Sequence, residues 1–118
     1  MTLYTNDQHT EQVMDRPEYP KKWLPLANAL RDTLVKLRTY SDLAWTYVTP
    51  ALTYDVTGIA TGKYHIEGEE LTTTDDKSYI SYADYATGMI DLIEQHTHVR
   101  QRITLVGQSK QKIEKENI

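Results

Sequence analysis

The chain has 118 residues, a net charge of -4 at pH 7, 25% charged and 39% hydrophobic residues, and no cysteine. That describes one ordinary domain with enough apolar content to fold. It lacks the basic surplus of a general nucleic-acid binder, and it has no thiols for disulfides, zinc ribbons or nucleophilic catalysis.

Along the chain, residues 1–20 show no sustained period; Pro17 and Pro20 mark a loop or arm in which only Leu3-Tyr4-Thr5 could be a strand stub. Residues 21–39 read as a helix. Trp23, Leu26, Ala27, Leu30, Leu34 and Leu37 recur at three- and four-residue steps and give one apolar face. Pro25 is tolerated only in a first turn, so regular helix is expected from about Leu24. Residues 44–48, Ala-Trp-Thr-Tyr-Val, form the best strand and stop at Pro50. Lys63-Tyr64-His65-Ile66 is a second short strand, and Leu71 to Thr74 could pair with it across the hairpin-length Glu67-Gly68-Glu69-Glu70. Residues 81–95 read as a second helix, with Ser81 as N-cap and Asp84 resembling the far member of a capping box. Its apolar face would be Tyr82, Tyr85, Ala86, Met89, Ile90 and Ile93. Gly88 inside that helix costs about 1 kcal/mol relative to Ala, which suits either close packing or simple tolerance. Residues 101–106 form a last strand closed by Gly107, and the charged tail 108–118 reads as frayed helix or disorder. Two main helices and about four short strands imply α+β, or a piece of an α/β sheet.

No apolar stretch approaches the roughly 20 residues of a membrane helix. The opening Met1-Thr-Leu-Tyr-Thr-Asn6 has neither the basic nor the apolar region of a signal peptide. The expectation is a cytoplasmic protein with no membrane or nucleic-acid partner. Aromatic usage is uneven: nine tyrosines, two tryptophans and no phenylalanine. Tyr packs its ring but needs a partner for its hydroxyl, so half-buried surfaces or a wet cleft account for the excess, as does compositional drift.

Familiar chemical motifs are missing. Gly58-Ile-Ala-Thr-Gly62-Lys63-Tyr64 has one residue too few between its glycines for a phosphate loop, and Tyr where Ser or Thr is needed. The closely spaced glycines that let backbone N–H groups approach a pyrophosphate are absent. His96-x-His98 has no supporting carboxylate–histidine motif and reads as a solvated helix end, so no metal site is expected. Glu69-Glu70 and Asp75-Asp76 are adjacent acids in turns, not groups converging across a cleft. No catalytic residue can be assigned.

Two segments taken together point further. Asp42-Leu-Ala-Trp-Thr-Tyr-Val-Thr-Pro-Ala51 is followed by Thr61-Gly-Lys-Tyr64, and Ile80-Ser-Tyr-Ala-Asp-Tyr-Ala86 is followed by Arg100-Gln-Arg-Ile-Thr104. This order, from about Leu3 to Val106, resembles the C-terminal half of the atypical short-chain dehydrogenase/reductases, in the branch of NADH-flavin reductase-like, NAD(P)-binding proteins. The resemblance implies that residues 1–107 are the substrate-side portion of a Rossmann-like α/β reductase. It implies that Trp45 to Val48 lead into a turn, Thr49, Pro50, Ala51 and Leu52, beside the nicotinamide ring of NAD(P)H. Tyr54, Tyr64 and His65 would then border the substrate, a small molecule or a flavin such as FMN. From the residues alone, Pro50 simply ends a strand.

The glycine-rich loop and first strands of that family have no counterpart in this sequence. Nor has its Tyr-x-x-x-Lys pair: Tyr19 is followed by Lys22 at three residues and Trp23 at four. The expectation is therefore a truncated, reductase-like chain that is inactive or partner-dependent alone, since most cofactor affinity comes from the phosphate cradle. Two other readings stay open. One is a complete small reductase in which tyrosines stack on an isoalloxazine ring. The other is a homo-oligomeric interaction module, because the strand at 44–48 would lack a neighbour and an unpaired edge favours strand addition. A homodimer or higher oligomer is expected.

Overall fold

In a computed structural model, residues 1–71 and 78–108 are described. They form two α-helices and five strands: α1 Leu24–Leu37, β1 Thr46–Pro50, β2 Thr53–Asp55, β3 Tyr64–Glu67, β4 Tyr79–Ser81, α2 Tyr82–Gln95 and β5 Gln101–Gly107. The class is α+β. One sheet has the order β1-β5-β3, with β1 parallel and β3 antiparallel to β5; β2 and β4 make a separate parallel pair.

β5 is the centre, and its sequence explains why. Every residue from Arg102 to Gly107 is buried, which is the pattern of a strand covered on both faces. Alternation along the strand gives the faces different partners. Leu105 and Ile103 pack with Ile80, Leu92 and Ala51 in the core. Arg102 and Thr104 face the other way, towards Thr2 and the Gly68 carbonyl. Tyr47, level with Arg102 on β1, sends its hydroxyl to the Leu30 carbonyl of α1. So α1 and the N-terminal arm lie over one face and α2 over the other.

The arm is held by side-chain chemistry and by scattered backbone bonds. Tyr4 bridges to both Gln12 and Glu70, and Leu3 is fully buried. Buried Arg102 donates from Nε to Glu69 Oε1 at 2.7 Å, and from its other nitrogens to the Thr2 side chain and carbonyl. Glu69 also receives both of its bonds from Arg38, just past α1.

Both helices start where the chain chemistry says. Pro25 sits in the first turn of α1, after a 3₁₀ turn at Lys21–Trp23. Ser81 caps α2 by accepting from the Asp84 N–H. Asp84 does not reach back to complete a capping box; its carboxylate accepts from the Thr61 N–H and hydroxyl and the Gly62 N–H. That pins the loop before β3.

Three expectations change. β1 runs two residues later than 44–48 and includes Pro50. β3 pairs with β5, while the proposed hairpin arm from Leu71 to Thr74 falls largely on residues 72–77, outside the described residues, as does the tail from 109 on. The third concerns α2, whose buried residues are Asp84, Gly88 and Leu92, not the apolar stripe read from the sequence. The small Gly88 lets the helix lie close on β5, and this turns Tyr82, Ile90 and Ile93 outward. On α1 only Ala27 and Leu34 are buried, leaving Trp23, Leu26 and Leu30 exposed.

A Cβ at Gly88 would lie 2.7 Å from Leu105 Cδ1, in a fully buried neighbourhood. Gly88→Ala is therefore expected to destabilise the chain by about 1–2 kcal/mol, overpacking outweighing the gain of about 1 kcal/mol in helix propensity. Arg102→Ala leaves Glu69 to Arg38 alone, removes the donors to Thr2 and opens a void under the sheet, and is expected to cost about 3 kcal/mol. Urea unfolding measures both, and an unchanged midpoint in either variant contradicts the packing described.

Candidate functional site

β1 is an edge strand among the described residues, and its carboxyl end opens into a cleft of about 690 Å³. The floor is Tyr47 to Leu52. One wall is the exposed side of α1 with Trp23, Leu26 and Leu30, and the other is formed by Tyr54, Tyr82 and Tyr85. The size is that of a small-molecule site. Thr49, Pro50, Ala51 and Leu52, expected beside a nicotinamide ring, all line it, as does Tyr54.

Tyr64 and His65 do not join them. They lie on β3, which is separated from β1 by β5. Tyr64 turns to Asp91 on α2, and His65 is 3.3 Å from Glu67. The sheet order separates what the sequence places near one mouth. Of the residues expected at the site, the cleft brings together Thr49 to Leu52 and Tyr54.

Five of the nine tyrosines line the cleft: Tyr19, Tyr47, Tyr54, Tyr82 and Tyr85. This favours the cleft explanation of the tyrosine excess over drift. Tyr54 and Tyr82 stack with ring centroids 4.0 Å apart, and Tyr85 tilts against Tyr54 at 4.9 Å. The Tyr85 hydroxyl donates to the Val48 carbonyl at 2.9 Å. Thr49, buried, receives a long contact of 3.4 Å from Arg102, so the cation network beneath the sheet also touches the first residue of the turn. The sequence reading missed Tyr82 and Tyr85 as cleft residues because it assigned them to the helix core; their spacing of three on a helix whose small residues face the sheet was the available signal.

The chemistry of the lining is narrow. It holds no Asp, Glu, His, Lys or Arg side chain. Burial pushes the Tyr85 hydroxyl up to about 12, with the Tyr54 and Tyr47 hydroxyls adding to it, and burial raises Tyr47 and Tyr54 too. These phenols stay neutral through the physiological range. The cleft can stack and position a flat ring; no side chain of its lining moves a proton near neutral pH, and the group there that titrates in that range is the Met1 amine, which burial lowers to about 6 and which donates to the Tyr19 hydroxyl. No cluster of three or more metal-ligating side chains exists among the described residues, and no helix among them is long and apolar enough to cross a membrane.

No protein-family profile matches the chain. Over 111 residues it is 35% identical to the uncharacterized protein YwnB of Bacillus subtilis, spanning 92% of this chain and 52% of that one. Among solved structures it is similar to a protein from Streptococcus pneumoniae described as a putative NADH-flavin reductase, at 40% identity and a TM-score of 0.83, covering 91% of this chain and 51% of that one. A protein from Burkholderia pseudomallei described as a putative exported protein is 32% identical (TM-score 0.79, 89% and 50% covered). One from Bacteroides thetaiotaomicron described as a putative epimerase is 27% identical (TM-score 0.81, 92% and 50% covered). The chain spans about half the length of the proteins it matches. Its architecture is that of part of a Rossmann-like, NAD(P)-binding fold.

Tyr64, Tyr79 and Tyr85 each ionise near 12 in the folded chain, well above the usual 10. The folded state therefore binds protons more tightly than the unfolded one. The stability this contributes is full below pH 10 and is lost as pH rises towards about 12. Unfolding followed across that window is expected to show a falling midpoint, and Tyr85→Phe is expected to flatten the fall. An identical slope in the variant would mean that Tyr85 is not buried as described.

Proposed function

We propose that this chain supplies the ring-binding and substrate-side elements of an NAD(P)H-dependent oxidoreductase of the NADH-flavin reductase kind, and that it does not work alone. The observation that carries this is the Thr49–Leu52 turn. It leaves the carboxyl end of a parallel strand and floors an aromatic cleft, where open α/β sheets place their ligands. The likeness to the Streptococcus pneumoniae protein supports the reductase class. The epimerase description of a more distant neighbour is compatible with the same cofactor.

The fit to a dinucleotide is partial. The flat, apolar ring of a nicotinamide or a flavin suits the stacked Tyr54–Tyr82 wall. The pyrophosphate finds no cationic side chain on this lining and no glycine-rich turn at a helix start. When bound, NAD(P)H would supply the hydride; Thr49 to Leu52 and Tyr54 would position the ring and exclude water. FMN is the flavin substrate that the stacked tyrosines suit. A cytoplasmic setting, where reduced nicotinamide nucleotides are held, goes with this reading, although one neighbour is described as exported.

Calorimetry on the purified chain is expected to show no micromolar binding of NADH, NADPH or FMN, and no oxidation of NADH in the presence of FMN. Joined covalently to the part of the Streptococcus pneumoniae protein that it does not span, the chain is expected to bind NADH, and Tyr54→Ala in that fusion to weaken binding several-fold. Micromolar binding by the chain alone removes the claim of dependence. A fusion that folds without binding any nicotinamide nucleotide removes the reductase reading.

A further inference from the structure

We infer that the cleft takes an uncharged flat ring bearing carbonyl oxygens and disfavours one that carries a carboxylate or phosphate beside it. The inference rests on the ring-binding reading of the cleft and names the class of ring. An anion is held by backbone N–H donors or by cations. The turn on the cleft floor has its donors committed elsewhere. Pro50 has no N–H. The Ala51 N–H donates to the Leu105 carbonyl at 3.1 Å, the Leu52 N–H to Ser78 Oγ at 2.8 Å and the Thr53 N–H to the Ser78 carbonyl at 2.9 Å. The partners in all three bonds belong to β5 or to the residue before β4, so a further strand beside β1 does not free them.

The cations near the turn are committed too. Arg102 reaches it at Thr49 Oγ1, 3.4 Å away, while its other bonds go to Glu69 and Thr2. Lys22 lies over the Trp23 ring, 5.9 Å from its centroid, and is not among the lining residues. The Met1 amine, lowered to about 6 by burial, donates to the Tyr19 hydroxyl and is neutral at higher pH. A carboxylate pressed against this lining would lose its water and gain no charge-assisted bond.

A neutral carbonyl is met differently. Tyr47 and Tyr85 donate to the Leu30 and Val48 carbonyls. Tyr54 and Tyr82, the stacked wall, are 38% and 45% exposed, and among the described residues their hydroxyls have no hydrogen-bond partner. A phenol O–H donates readily to a neutral carbonyl oxygen, and burial raises the Tyr54 hydroxyl, which keeps that proton in place. A stacking face bordered by two such donors suits a quinone or an isoalloxazine ring. FMN meets the same surface with its ring while its phosphate stays in water beyond the cleft.

Lumiflavin, an uncharged isoalloxazine, and its 10-carboxymethyl analogue differ by one carboxylate beside the ring. Both are titrated into the full chain at about pH 8, above the value of the Met1 amine, with no nicotinamide nucleotide present. Flavin fluorescence, quenched on stacking, reports binding. Lumiflavin is expected to bind about ten-fold more tightly than the carboxymethyl compound, and Tyr54→Leu to weaken it several-fold. Leu26→Lys places a cation on the facing wall, at a position 65% exposed, and is expected to bring the two ligands level or reverse their order. Val35→Lys, on α1 but outside the cleft, is expected to leave the preference unchanged. Should Tyr54→Leu fail to fold, the two lysine variants decide. No binding of lumiflavin up to its solubility, equal affinities in the wild type, or a preference that Leu26→Lys moves no more than Val35→Lys overturns the inference. Failure of the reductase reading shows differently: the fusion holds no nicotinamide nucleotide while the chain still separates the two flavins.

Discussion

A guanidinium buried inside a sheet cannot be left unpaired, and most of this structure follows from satisfying one. Arg102 has no exposed side-chain surface, and an unpaired charge there would cost several kcal/mol. Its partners come from distant points: Glu69 after β3, and Thr2 in the N-terminal arm. Glu69, shared with Arg38, draws the end of α1 to the same place. One cation thus gathers the arm, the first helix and the turn after β3 over a single face of β5, and touches Thr49 on the way into the cleft. The same ion pair determines which face of the sheet is polar beneath its cover. The opposite face is left for a largely apolar contact with α2.

That division decides how α2 sits. Leu105 and Ile103 present a closely packed surface, and Gly88 is the residue that lets a helix backbone approach it. Once the stripe Asp84-Gly88-Leu92 faces the sheet, Tyr82, Met89 and Ile93 are carried to the border of β1. The cleft and the groove are therefore consequences of close helix–sheet packing, and the tyrosine wall is the outward flank of the same helix.

Local chemistry was legible in the sequence. The start of α1 near Pro25, the Ser81 cap, β5 and the ending of β1 at Pro50 each depend on residues close by. The elements that escaped depend on distance along the chain. Arg102 and Thr2 are 100 residues apart, and nothing local says that a strand arginine will seek an N-terminal threonine. β3 took β5 as its partner because β5 offered a long, buried edge, which the spacing of Glu67 to Glu70 does not reveal. The apolar stripe of α2 is real in its periodicity, yet a hydrophobic pattern alone does not decide between a core and an open border when a glycine offers closer packing on the adjacent face. The Thr49–Leu52 turn was placed by likeness to a family, and the geometry brings those residues together in one cleft; Tyr64 and His65, placed by the same likeness, lie beyond β5.

The cleft beside β1 is lined by no Asp, Glu, His, Lys or Arg side chain. A ring-binding cleft asks for such a surface: flat aromatic side chains and few ionisable groups. A nucleotide's phosphates ask for the opposite, a cluster of N–H donors or cations at a helix start. In this chain the strongest fixed cation, Arg102, is spent inside the sheet on Glu69 and points away from the cleft mouth. Redirecting it towards a phosphate would unfasten the N-terminal arm. The fold is therefore stabilised by a charge that a phosphate-binding site would need at its surface.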